Sequence, residues 1–411
     1  MIKAQRGTKD IFGDESATWQ WIVNCAQNVF QNAGYQEIKT PIFEATELFA
    51  RGVGDSTDIV NKEMYTFCVG GADKSATSIT LRPENTAGVV RAYIEHNLNR
   101  QSPPQKFWYF GPMFRYERPQ AGRQRQFHQI GVEMFGVSEA SADAEVILSA
   151  VGFLKSVGLG DLEVELNSLG CPKCKNDYRE SIKLVLKPHL ENLCDDCKMR
   201  YEKNPLRILD CKDENCQKIF ELDEVKKVIL NDYICDDCKN HFETLTSYLD
   251  ELGIKYQRNK LLVRGLDYYN RTVFEIKSSA LGSQSAVCGG GRYDGLVEML
   301  GGVSTPAVGF AMGVERLFSL VEKKEAEKLD YFIVSTNTKE AIKLAQKLRQ
   351  KNKKVEFDMQ ARKFAKQLEK ASKIAKCAII LGEDEIQQRF YSVKNLELGT
   401  QEKIEKFEDL I

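Results

Sequence analysis

Two stretches that favour extended structure, QKFWYF at 105–110 and FHQIGVEMF at 127–135, are separated by a loop dense in arginine. Aromatic and β-branched side chains suit the half-buried surface of a strand, so the pair predicts an antiparallel hairpin with a long basic tip. Strand character returns at 162–166, 261–264, 272–276 and 285–288. Between the first and second of these, from about 171 to 253, the chain turns helical and rich in cysteine. The pattern reads as one antiparallel sheet interrupted by an insertion.

Flanking segments fill in the architecture. Asp14 or Ser16 is placed to cap a helix in which Trp19, Ile22, Val23, Ala26, Val29 and Phe30 recur at spacings of three and four, with Gly34 ending it. Short β-prone pieces fall at 35–40, 64–69 and 78–81, a helix follows Pro83, and Ala144, Ile147, Leu148, Val151 and Leu154 mark another. The run VEKKEAEKL at 321–329 carries charge without an apolar stripe and marks a boundary. Beyond it, strands at 331–334, 355–357 and 377–381 alternate with two helices, which predicts a small α/β domain around a parallel or mixed sheet.

Charge excludes one class of protein. Across 411 residues, 58 Lys and Arg stand against 59 Asp and Glu, so a surface uniformly positive for nucleic acid is ruled out and any such contact needs a local patch. One such patch lies at 339–376, where thirteen basic residues face four acidic ones, a net of +9. Lysines on helices equally make a solvated face. The N-terminal residues lack the apolar core of a signal peptide and no window approaches a membrane span, so a cytoplasmic protein without membrane contact is expected.

Four constellations carry chemistry. Arg115, Arg118, Arg123 and Arg125 crowd the hairpin tip; the planar guanidinium grips phosphate oxygens two at a time, although a solvated turn would look the same. Arg264, Asp267, Tyr268 and Tyr269 share a turn in LVRGLDYYNRTVFE, where the tyrosines also read as packing residues. The glycines of CGGGRYDGL (288–296) and VGFAMGVERL (308–317) let backbone approach a ligand, or form a flexible turn. Eight of the twelve cysteines lie between Cys171 and Cys238, three of their pairs spaced CxxC, which suits zinc and equally describes reduced, partly buried thiols.

Taken together these segments resemble a known family. FRYERPQAGRQRQFHQ (114–129) is similar to motif 2 of class II aminoacyl-tRNA synthetases, and in its wording to the histidyl-tRNA synthetase family. The stretch 35–67 resembles that family's motif 1, LRPENTAG (81–88) its amino-acid loop and VGFAMGVERL its motif 3, while LVRGLDYYNRTVFE and CGGGRYDGL resemble two signatures of the histidine enzymes.

The resemblance implies an α+β catalytic domain with a mostly antiparallel sheet (1–170 and 254–320), a cysteine-rich helical insertion (171–253) over the tRNA acceptor stem, a linker (321–329) and an α/β anticodon-binding domain (330–411). It implies activation of L-histidine with ATP and Mg²⁺, transfer to histidine tRNA, and a homodimer joined near Pro41. By the same resemblance Arg264, Arg115 and Arg316 are catalytic, and Glu84, Thr86, Gln129, Glu133, Tyr268 and Tyr269, with Arg115 and Arg264, bind histidine. Arg115, Glu117, Arg123, Phe127 and Arg316 hold ATP, and Gln120 faces the acceptor end. Zinc, if bound, is assigned to Cys171, Cys174, Cys194 and Cys197. Asn85 departs from the glycine common in the family and is expected to crowd its loop. Two other classes fit parts of the chain: a regulatory paralogue that binds histidine without charging tRNA, and a zinc-dependent RNA-binding module.

Overall fold

The computed structural model describes residues 1–54, 57, 59–69, 77–120, 122–278, 286–360 and 362–411. The chain divides into two compact units, Met1–Lys324 and Glu325–Ile411. Among the described residues no helix is long and apolar enough to cross a membrane.

In chain order the strands of the first unit are β1 (Gln36–Glu37), β2 (Phe43–Ala45), β3 (Tyr65–Val69), β4 (Thr77–Leu81), β5 (Gln105–Phe114), β6 (Gln126–Phe135), β7 (Leu162–Ser168), β8 (Tyr256–Arg258), β9 (Asn270–Ser278), β10 (Ala286–Arg292) and β11 (Ala307–Gly313). Eight of them form one sheet in the order β1-β5-β6-β11-β10-β9-β7-β8, and β2, β4 and β3 form a small second sheet. Among the described residues, only the outermost pairs of the large sheet, β1 with β5 and β8 with β7, are parallel. The aromatic hairpin is in full register, Gln105 opposite Phe135 and Phe114 opposite Gln126. Because β7 pairs with β9, everything from 171 to 253 is inserted between neighbouring strands.

The two faces of the sheet differ. On one, Ile130, Val132, Phe274, Val308 and Phe310 form a buried core with Ile22, Ala26 and Phe30 of the helix Asp14–Asn32 and Val146, Ile147 and Ala150 of the helix Ala140–Ser156. The other carries the polar groups described below. The first helix is N-capped by Gly13 rather than by Asp14 or Ser16; Asp14 and Glu15 lie in its first turn, where carboxylates favour the helix dipole.

Expected and observed strands part at 261–264. There the carbonyls of Lys260 and Leu262 are taken by the Asn167 side chain, at 3.1 and 3.0 Å, instead of a strand partner, and Leu262 and Val263 turn into the core. The strand beside β7 is β8, slightly earlier in the chain. Of the strand expected at 285–288, Ser285 lies outside the described residues and the rest belongs to β10.

A buried ion pair ties β10 to the helix Ala140–Ser156. Arg292 and Asp143 are both fully buried, with Nη2 to Oδ2 at 2.6 Å. Arg292 also donates to the carbonyls of Val137 and Glu139 and to Asp294, so its donors are spent on fixed partners. Replacing Arg292 with methionine leaves a buried carboxylate without its guanidinium and is expected to cost about 3–5 kcal/mol of stability, measured by denaturant unfolding. A loss under about 1 kcal/mol would show that Asp143 finds compensation elsewhere.

The second unit holds β12 (Leu329–Val334), β13 (Val355–Phe357), β14 (Ala375–Ile380), β15 (Tyr391–Asn395) and β16 (Gln401–Ile404) in the order β13-β12-β14-β15-β16. The first three run parallel and the last two add antiparallel, a mixed sheet. Helices Thr338–Gln350 and Phe364–Ile374 fall where the apolar spacing places them.

Candidate active site

Strand register explains the glycines. Reading across the sheet, Tyr109, Gly131, Ala311, Gly289 and Glu275 stand opposite one another on β5, β6, β11, β10 and β9. One row over, Glu133, Gly309 and Gly291 line up in the same way, and on the other side Gly111, Gln129 and Gly313. Residues in register share a face, so the middle of this face has almost no side chains and forms a trough. CGGGRYDGL therefore supplies a central strand rather than a flexible turn. Its bare positions are filled from above: a Cβ on Gly289 would sit 2.1 Å from the Arg264 guanidinium, and one on Gly131 2.4 Å from the Tyr109 ring.

Glu133 stands at one side of the trough and is 1% exposed. Thr86 donates to its Oε1 at 2.8 Å, Tyr109 more weakly at 3.4 Å, and the Tyr293 hydroxyl donates to Oε2. Burial pushes its carboxyl up to about 8, against the Tyr293 and Thr86 hydrogen bonds, with nearby Glu84 adding to the rise. Tyr268 and Tyr269 pack at 4.6 Å between ring centres, and Tyr268 reaches Tyr293 at 5.5 Å. Gln129 Oε1, Tyr268 Oη and Arg264 Nε are buried without a hydrogen-bond partner. Buried polar atoms are rarely left so, and Gln129 and Arg264, which line one cleft, mark a place for a polar ligand.

The loop over this pocket is held from its own helix. Glu84 accepts from the backbone N–H groups of Thr86 and Ala87 at 2.7 and 2.9 Å, closing the first turn of Thr86–Glu95. Asn85 does not crowd its loop as expected, and it takes the place of no proposed ligand. Its side chain turns away, accepting from Thr40 at 2.6 Å and from Arg82 at 3.2 Å, and is buried. Arg82 in turn donates to the carbonyls of Thr40 and Pro112, fixing the loop to β5.

Beside the pocket opens a cleft of about 360 Å³ lined by Arg115, Glu117, Arg123, Phe127, Gln129, Arg264, Glu275 and Arg316. Arg115 donates from Nε to the Pro83 carbonyl at 2.9 Å and lies over the Phe127 ring at 5.1 Å. Arg316, in the first turn of the helix Val314–Leu320 that follows β11, donates to the Ala286 carbonyl at 2.7 Å. Burial, with Arg123 nearby, pulls its guanidinium below the ordinary value, as in a cation cluster built to receive an anion. Arg264 forms an ion pair with Glu275. Gln120 and Arg123 bridge each other at the exposed tip, and Arg118 is exposed there too.

The structure thus buries Glu84, Thr86, Glu133, Tyr268 and Tyr269 beside the cleft, and brings Gln129 and Arg264 together with Arg115, Glu117, Arg123, Phe127 and Arg316 in its lining. Tyr109 and Tyr293 were not singled out in the sequence, yet both touch Glu133. Their signal was alternation: Tyr109 is opposite Gly131, and Tyr293 follows the glycine strand.

The four cysteines assigned to zinc do not meet. Cys171 and Cys174 close instead on Cys235 and Cys238, and Cys194 and Cys197 on Cys211 and Cys216. The helix Pro172–Leu186 separates the two pairs, a rise of about 22 Å at 1.5 Å per residue.

An antiparallel sheet bare at its centre, with one arginine from a hairpin and another from the helix after the last strand, answers the expectation of a class II aminoacyl-tRNA synthetase. Residues 7–173 and 188–317 match the family model described as histidyl-tRNA synthetase, and 322–411 the anticodon binding domain. The chain is 49% identical to the histidine–tRNA ligase of Caldanaerobacter subterraneus subsp. tengcongensis and 50% identical to that of Thermoanaerobacter pseudethanolicus, covering 98% of this chain and 97% of each relative. The crystal structure of apo S. aureus histidyl-tRNA synthetase matches with a TM-score of 0.80 at 37% identity, over 98% of this chain and 97% of that one. The chain belongs to the histidyl-tRNA synthetase family.

Proposed function

We infer that the chain is a histidine–tRNA ligase that joins L-histidine to ATP as histidyl adenylate, releases pyrophosphate, and passes the histidyl group to the 3′ end of histidine tRNA. The observation that supports the reading most is the buried Glu133, held by Thr86, Tyr109 and Tyr293 beside a cleft whose lining includes Gln129 and Arg264, each with a buried polar atom lacking a partner. An imidazole has a nitrogen on each side, and Glu133 with Tyr269 gives it two directed polar partners that a plain ring of the same size cannot use. Glu84, Thr86 and Gln129 receive the α-amino group. The carboxylate then lies toward Arg264, and Arg115 toward the α-phosphate.

In the first step the histidine carboxylate oxygen attacks the α-phosphorus and the bond to the bridging oxygen of pyrophosphate breaks. Arg264 and Arg115 stabilise the charge building on the non-bridging oxygens, Arg316 and Arg123 hold the leaving phosphates, and Phe127 stacks on the adenine. Of the carboxylates that line the cleft, Glu63, Glu117 and Glu275, the last two would hold the magnesium that accompanies ATP on exchanging their arginine partners, and its positive charge would offset that of the phosphates. In the second step Gln120, at the exposed tip, meets the acceptor end of tRNA. Histidine-dependent exchange of pyrophosphate into ATP tests this reading: its absence in the folded protein would leave a histidine-binding paralogue without the ligase reaction.

The assignments extend to assembly. The small sheet exposes Phe43, Phe67 and Val69, which supports a homodimer joined near Pro41, and a cytoplasmic location follows from a role in translation. The second unit reads the anticodon. Within 339–376, Lys343, Lys354, Arg362, Lys370, Lys373 and Lys376 are in ion pairs, whereas Lys339, Lys351, Lys363 and Lys366 are exposed. Neutralising Lys351 and Lys363 together is expected to weaken tRNA binding and to reduce the slope of log affinity against log salt by roughly 1.5, with pyrophosphate exchange unchanged. An unaltered slope would place the RNA on another face.

A further inference from the structure

We propose that the inserted segment holds two structural zinc ions, one on Cys171, Cys174, Cys235 and Cys238 and the other on Cys194, Cys197, Cys211 and Cys216. Within each set the four sulfurs all lie within 4.8 Å of one another. A tetrahedral zinc with bonds of about 2.3 Å sets its sulfurs about 3.8 Å apart. Cys171 and Cys174 are 3.5 Å apart and Cys194 and Cys211 3.7 Å, far longer than the roughly 2.05 Å of a disulfide. All eight are free cysteines.

Backbone geometry supports thiolates at these positions. The Cys171 N–H donates to Cys238 Sγ at 3.1 Å, and the Cys235 N–H returns the contact to Cys174 Sγ at 3.2 Å. In the other set the N–H groups of Cys194 and Asp213 donate to Cys216 and Cys211 Sγ at 3.3 and 3.4 Å. A neutral thiol is a poor acceptor, while a metal-bound thiolate carries charge that such donors spread. Cys171, Cys194 and Cys235 each stand at the N-cap of a helix. Four sulfurs complete each shell and leave no open coordination position, which makes the sites structural rather than catalytic.

The sites also lie where they steady the pocket. Lys175, next to Cys174, donates to the carbonyls of Asp267 and Tyr269 at 2.8 Å each. Asn204, between Cys197 and Cys211, donates to Asp267 Oδ1 at 2.5 Å. Both ions therefore fix residues that hold the turn bearing Tyr268 and Tyr269.

The test is metal analysis of the full-length protein, produced in zinc-containing medium and purified without a metal-affinity column. Two equivalents of zinc per chain are expected, released in two steps as a mercurial reagent titrates the thiols. Cys238→Ser and Cys216→Ser are each expected to retain one. If either variant fails to fold, the unaltered protein freed of metal and given cobalt should bind two equivalents with the intense thiolate-to-metal absorption of a four-sulfur site. The proposal is overturned by less than one equivalent of zinc in cooperatively folded, reduced protein that also takes up no cobalt. It is equally overturned by iron in place of zinc, or by a mass deficit showing disulfides within the two sets.

Discussion

Arg264→Ala is expected to slow adenylate formation by about a hundredfold or more while changing histidine affinity far less. The guanidinium lies over the bare backbone at Gly289, pairs with Glu275 on one side and keeps its buried Nε unpartnered. Burial works against its charge, yet Glu275 and Tyr269 more than offset this and hold its ionisation above the ordinary value. It is a fixed cation with a donor in reserve, placed where negative charge grows as the carboxylate attacks phosphorus. Removing it also leaves Glu275 facing the cleft uncompensated, so Arg264→Ala combined with Glu275→Gln should recover part of the rate. Single-turnover adenylate formation at saturating ATP, histidine and magnesium, beside calorimetric histidine binding, separates the effects. A near-normal rate, or a defect that saturating histidine fully repairs, would make Arg264 a binding residue only.

Histidine affinity is expected to peak between about pH 6.5 and pH 8 and to fall on both sides. Free imidazole takes a proton below about 6.5, whereas burial keeps the Glu133 carboxyl protonated up to about 8. Between these values the pair carries, besides the N–H of the neutral imidazole, one further proton that can pass from Glu133 to the ring and make an imidazolium–carboxylate pair. Below the window a second extra proton must leave, and above it only the neutral N–H remains to donate to the carboxylate, a weaker contact than the ion pair. Glu133→Gln should remove the upper limb attributable to this residue and cost on the order of 2 kcal/mol, about thirtyfold in affinity. An upper limb unchanged in Glu133→Gln would assign it to the substrate's amino group. The same shift bears on stability. Because the unfolded carboxyl ionises near 4.5, the unfolded chain sheds this proton first, and stability falls as the pH rises from about 4.5 to 8. Glu133→Gln should flatten that decline.

Local pattern was enough to read the hairpin, because its aromatic residues specify a strand and its arginines cannot be buried in one. It was also enough for the helices packed behind the sheet, where Ile22, Ala26 and Phe30 repeat on one face. Most of the proposed ligand residues came through resemblance of whole segments, since nothing in a lone Glu133 or Gln129 reveals what lies across the sheet. What stayed hidden depends on register and on long-range pairing. Tyr109 and Tyr293 meet Glu133 only because four strands, β5, β6, β11 and β10, align, and Asn85 turns away only because Thr40 and Arg82 are there to receive it. Likewise, CxxC spacing identified pairs of cysteines but not their partners, which the inserted helices decide. β15 and β16 lacked the continuous apolar run that revealed β14, because they lie toward the edge of their sheet.

The trough has a thermodynamic consequence. Glycine surrenders more backbone freedom on folding than any other residue, and in the interior of a strand it costs roughly 0.5–1 kcal/mol relative to alanine. Six glycines pave this face, Gly111, Gly131, Gly289, Gly291, Gly309 and Gly313. Together they forgo about 3–6 kcal/mol, a large part of the 5–15 kcal/mol by which a typical domain is stable. Stabilising substitutions that would ordinarily be tolerated are closed off here, since a methyl at Gly309 would meet Glu133 Oε2 at 2.0 Å. The deficit is made up on the opposite side of the same strands, where Phe310, Phe274 and Val132 pack against helices. Successive residues along β11 thus answer to opposing demands, one for volume and the next for emptiness, and the capacity to bind substrate is set against the capacity to stay folded within a single strand.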